Sequence, residues 1–89
     1  MIPEETIEQA VRYLLPAGPR DSKVILFGSY IRGDADTRSD LDLLIVEPQV
    51  SDRFAEMVRL REVLDPLKIP VDLLVTSAER FDYWRDTPN

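Results

Sequence analysis

Apolar positions change their spacing several times along the chain, and each change marks an element. Ile7, Ala10, Val11 and Leu14 recur at helical spacing. Pro3, Glu4 and Glu5 precede them, where proline tolerates a first turn and acids favour the positive end of the helix dipole. Pro16 is expected to end this helix and 17–22 to turn. Val24, Ile25, Leu26 and Phe27 form an unbroken apolar run rich in strand formers, which fits an interior strand covered on both faces. Gly28 stops it. Ser29 is expected to cap a short helix, and 33–39 is polar and turn-like.

A second apolar run, Leu41 to Val46, closes at Glu47 and Pro48. Ser51 is expected to cap a third helix, whose apolar stripe is Phe54, Met57, Val58, Leu60 and Leu64. Val71 to Val75 predicts a third strand. Thr76 and Glu79 then have capping-box spacing before a last helix carrying Phe81 and Trp84. The order αβαβαβα predicts a small α/β domain, a mixed β-sheet flanked by helices. The helix over about 51–65 is long enough for a crossover, so the second and third strands are expected to run parallel, with Asp72 alongside Asp40 and Asp42. Gly28 and Ser29, at the end of strand one, reach those acids only if that strand runs antiparallel to strand two.

Asp40 and Asp42 are the first candidates for chemistry. In a strand they share one face, with alpha carbons roughly 7 Å apart, while Leu41, Leu43 and Ile45 take the other face. Two acids this close repel unless they protonate, hydrogen-bond or share a cation, and an all-oxygen donor set suits a hard ion such as magnesium. Plainer roles stand beside this one: Asp40 as a turn residue with Ser39, Asp72 as a solvated edge acid, Gly33 as a turn glycine, and Asp34 and Asp36 as solvated loop acids. Tyr30 either flanks a base or packs. Phe81, Tyr83 and Trp84 read as core or interface packing.

Composition narrows the chemistry further. At 89 residues the chain makes one domain, 1–89, with a single modest core. It has no cysteine and no histidine, so any catalysis falls to carboxylates, hydroxyls, Lys, Arg and a bound ion. A net charge of -6 argues against direct nucleic-acid binding, which rests on a basic surface. No apolar run approaches the roughly 20 residues that span a bilayer, and the acidic start MIPEETIEQ is unlike a signal peptide. A cytoplasmic protein without membrane association is expected. The oligomeric state is not fixed, although a small sheet with aromatic residues near its C-terminus is compatible with a homo-oligomer.

Gly28-Ser29, ten residues, then Asp40-Leu41-Asp42 resembles the Gly-Ser-x10-Asp-x-Asp signature of the polymerase-beta-type nucleotidyltransferase superfamily. The length, the GSYIRG form and the third acid at Asp72 are similar to its minimal nucleotidyltransferase (MNT) branch. The resemblance runs from about Val24 to Thr76 and implies a magnesium-dependent enzyme that moves a nucleoside monophosphate from an NTP. Asp40, Asp42 and Asp72 would be its catalytic and metal-binding acids. Gly28, Ser29 and Arg32 would bind the nucleotide, with Arg32 either holding a phosphate or fixing the acidic loop. MNT proteins are typically paired with a HEPN-domain toxin, and the resemblance implies an antitoxin that transfers AMP from ATP to a tyrosine of that partner. A non-catalytic antitoxin or regulatory subunit that neutralises its partner by binding is the competing expectation.

Overall fold

Strand β2, Leu41–Glu47, is the middle of a three-stranded sheet, and the order of hydrogen-bonded neighbours is β1-β2-β3. The computed structural model describes residues 1–86, so the last three positions of the expected 1–89 domain lie outside the described residues. Strand β1 is Lys23–Phe27 and runs antiparallel to β2. Strand β3 is Val71–Ser77 and runs parallel to it. Helix α1 (Glu4–Ala17), the single turn α2 (Ser29–Arg32), helix α3 (Arg53–Val63) and helix α4 (Ala78–Asp86) complete the predicted αβαβαβα order, with a 3-10 turn at Asp65–Leu67. The mixed sheet follows from the connections: a short turn and loop reverse the chain between β1 and β2, whereas α3 carries it back between β2 and β3.

Alternation along the strands decides which side is core. Leu41, Leu43 and Ile45 of β2 and Leu73 and Val75 of β3 are at most 1 % exposed. They pack with Ala10 and Leu14 of α1, Leu60 of α3 and Leu64. Burying a leucine this completely contributes about 1.5–3 kcal/mol, so this layer holds the sheet to the helices. The opposite face carries Asp42, Leu44 and Val46 and, in register with them, Asp72, Leu74 and Thr76. It is open at the Asp end, where Leu74 is 43 % exposed, and closed at the Val46–Thr76 end, where α4 packs back on β2 and β3.

Several local expectations are corrected. Strand β1 lies at an edge rather than inside the sheet: Val24 and Leu26 pack on the core, and all four apolar residues are only half-buried. An unbroken apolar run does not by itself distinguish one covered face from two. Pro16 lies inside α1, within its last turn, where the Gly18 N–H still closes on the Leu14 carbonyl. Helix α3 is capped by Asp52, not Ser51, its Oδ1 accepting from the Ala55 N–H at 3.1 Å. Of the expected α3 stripe, Phe54 is 74 % exposed and Val58 is exposed as well. The cap of α4 is Ser77, the last residue of β3, whose Oγ accepts from the Arg80 N–H, and not Thr76. Of the core and interface roles expected for Tyr83 and Trp84, the core role is excluded, because both are exposed. Among the described residues no helix is long and apolar enough to cross a membrane.

Glu47, the last residue of β2, falls on the core face and is 2 % exposed. Arg59 grips Glu56 of α3 with two hydrogen bonds of 2.7 Å, while Glu47 Oε2 has no partner among the described residues. Burial first, then hydrogen bonding to Glu56 and the charge of Glu56, push the Glu47 carboxyl up to about 7 against the pull of Arg59. Its Arg59 bonds, and next its bond to Glu47, hold Glu56 down to about 2. Below about 7 the Glu47 carboxyl holds its proton beside the Glu56 carboxylate. Because the folded state raises the Glu47 value, the stability it confers is complete below about 4.5 and declines as pH rises towards about 7. Glu47→Gln is expected to flatten that decline in thermal unfolding followed between pH 4.5 and 8, raising the midpoint most at the alkaline end.

Candidate active site

The rim where β2 begins gathers the chain's candidate chemistry. Antiparallel pairing sets Phe27, the last residue of β1, opposite Asp42. The chain therefore leaves β1 at Gly28 directly beside that acid. Parallel pairing sets Asp72 opposite Asp42 on the other side, with neighbouring strands about 4.8 Å apart. The Leu41 N–H donates to the Pro70 carbonyl at 2.9 Å and extends the ladder to the mouth of the rim. Asp40 precedes the first residue of β2 and is exposed.

Electrostatics ties the three acids together. Partial burial, then the charge of Asp72, then that of Asp40, raise the Asp42 carboxyl above its ordinary value, and Arg32 acts in the opposite sense. Asp42 thus senses both neighbours as like charges. The carboxylate-only donor set and this repulsion fit a hard divalent cation. The three side chains are not drawn into one shell: among the described residues, no group of three or more acids is arranged to hold a metal ion.

Gly28 is the tightest point of the site. Its backbone sits at φ 78°, ψ −152°, a region open essentially to glycine alone. A Cβ added there would run into the carboxylate of Asp42. Gly28 also serves as the N-cap of α2, so Ser29 is the first helical residue and not the cap. The Gly28 carbonyl accepts from the Ile31 and Arg32 N–H groups, and the Ser29 carbonyl accepts from those of Gly33 and Asp34. Gly33 has φ 83° with open space around it and is a turn residue.

The remaining candidates have simpler roles. Arg32 Nε donates to Asp34 Oδ2 at 3.3 Å in an exposed pair, which ties it to the acidic loop. The turn role considered for Asp40 belongs to Asp36, whose Oδ1 accepts from the Arg38 N–H at 2.8 Å and from Ser39 Oγ at 3.3 Å. The Tyr30 hydroxyl accepts from the Ile2 N–H at 2.9 Å and fastens the N-terminus. The Glu47–Glu56–Arg59 group was not anticipated. Its signal was an acid in phase with Leu41, Leu43 and Ile45, the residues that form the buried face.

The nucleotidyltransferase domain family matches residues 4–87. The chain belongs to this family. No curated protein and no solved structure matches it. The match covers nearly all of the sequence, so this nucleotidyltransferase domain includes α1 and α4 as well as the motif between β1 and β3, and its helices and mixed sheet are consistent with a nucleotidyltransferase-like fold.

Two outcomes follow from the geometry of this nucleotidyltransferase. Gly28→Ala is expected to lower stability by about 1–3 kcal/mol in denaturant unfolding, and more than Gly33→Ala, which meets no neighbour. Asp72→Asn is expected to bring the Asp42 carboxyl down towards the usual range in a carbon-detected NMR titration. An unchanged Asp42 would mean that the two side chains do not face each other.

Proposed function

We propose that this nucleotidyltransferase moves AMP from ATP to a tyrosine hydroxyl of a partner HEPN-domain toxin and so acts as its antitoxin. The observation that carries the transferase chemistry is Asp42 lying in register with Asp72 and directly beneath the Gly28–Ser29 turn. The choice of acceptor is supported by the MNT-like form of the motif, GSYIRG followed by the third acid Asp72.

In this reading the acceptor oxygen bonds to the α-phosphorus while the bond from that phosphorus to the bridging oxygen breaks, releasing pyrophosphate. Asp72, exposed at the rim, takes the acceptor's proton. Gly28 lets the phosphates approach the backbone, Ser29 donates to their oxygens, and Arg32 leaves Asp34 to offset their charge. Asp40 and Asp42, with Asp72, would hold magnesium, which when bound neutralises phosphate charge and polarises the phosphoryl oxygens.

Incubation with labelled ATP, magnesium and the partner tests the reading. Wild-type protein is expected to label the partner, and Asp40→Ala and Asp42→Ala to reduce labelling to background while circular dichroism stays unchanged. Normal labelling by both variants would remove the acids from the chemistry. Stoichiometric inhibition of the partner without labelling would identify a non-catalytic, binding antitoxin instead.

A further inference from the structure

At the far end of β3 from the acid rim, a cavity of about 90 Å³ lies between the starts of two helices and is lined by Val50, Arg53, Thr76, Ser77 and Arg80. Arg53 is the first residue of α3, and Arg80 lies in the first turn of α4. The α3 N-terminus is capped by the Asp52 carboxylate, so the charge at the cavity comes from the two guanidinium groups. Among the described residues neither arginine forms an ion pair. Arg80 stacks on the Trp84 ring at 5.4 Å, which leaves its in-plane N–H donors available. Thr76 is 2 % exposed, and its hydroxyl, buried in the cavity wall, has no hydrogen-bond partner. A buried hydroxyl without a partner is uncommon in a folded protein and calls for an explanation.

We propose that Arg53, Arg80 and Thr76 form an anion site that takes one tetrahedral oxyanion, a free phosphate or the phosphate of a monoester. The cavity opens to solvent and has room for a single phosphate group. Two guanidinium groups supply paired donors suited to phosphate oxygens, and the Thr76 hydroxyl supplies a third donor that is unpartnered among the described residues. The acids nearest in sequence are committed or lie outside the cavity wall: Asp52 caps Ala55, and neither Asp52 nor Glu79 lines the cavity. Thr76 follows Asp72 by four residues on the same face of β3, so the site stands about 13 Å along the strand from the rim. It is independent of the nucleotide-transfer reading.

The test is an NMR titration of the full-length, nitrogen-15-labelled protein with inorganic phosphate at constant ionic strength, with sodium chloride as the control. Saturable shifts are expected at Arg53, Thr76, Ser77 and Arg80. Arg53→Gln and Arg80→Gln are each expected to weaken binding at least fivefold. Thr76→Val is expected to weaken it too, while its thermal midpoint stays level or rises because an unpartnered hydroxyl has gone. A parallel titration with AMP separates the sources: the same shifts with AMP identify a phosphate monoester, and shifts with phosphate alone identify the free anion. Asp42→Ala protein is expected to bind phosphate as the wild type does, so failure here is distinct from failure of the transfer chemistry. Shifts that sodium chloride reproduces, or that persist undiminished in the Arg53→Gln and Arg80→Gln variants, overturn the site.

Discussion

The pairing register of β2 with its two neighbours is the constraint from which the site follows. Side chains alternate along a strand, so a slip of one residue would carry Asp42 into the core and Leu41 out of it. Leu41 and Leu43 are fully buried and Ile45 nearly so, and that apolar contact pins the register. The position of the acids is therefore set from the opposite face of the sheet, by residues with no part in the chemistry. The same pairing brings Phe27 opposite Asp42, which delivers the glycine turn to the acid.

The two ends of β2 hold acids under different conditions. Asp42 and Glu47 are five positions apart and so lie on opposite faces. Both carboxyls are raised, and burial is the leading cause in each. At the rim the further causes are two like charges beside an open face, an arrangement that a cation relieves. At the other end Glu47 is enclosed beside the Glu56–Arg59 pair, and burial makes its charged form the costly one. One strand thus carries one raised acid at an open rim among like charges and another enclosed beside an ion pair.

The elements that were legible in the sequence are those set by spacing. The helical recurrence from Ile7 to Leu14, the crossover length of 51–65 and the position of Asp72 at the start of β3 together give the mixed sheet, the pairing of Asp42 with Asp72 and the approach of Gly28 to Asp42. Less legible was which side of each element would be covered. Phe54 and Val58 share an apolar stripe with Leu60 and Leu64, but α3 has one covered face, and the stripe is wider than that face. Caps slipped by one residue because Ser51 and Asp52, or Thr76 and Ser77, are chemically interchangeable at that role, and the residue where the first helical turn begins chooses between them. Asp36, not Asp40, closes the loop with Ser39, a distinction that spacing alone did not make.

The carboxylate of Asp42 fills the space where any other residue at 28 would carry its side chain. The turn and the acid consequently behave as one mechanical unit: the backbone cannot settle towards the sheet without displacing the carboxylate, and the carboxylate cannot swing upward without lifting the turn. The contact resists any approach of the Asp42 carboxylate to the backbone of Gly28.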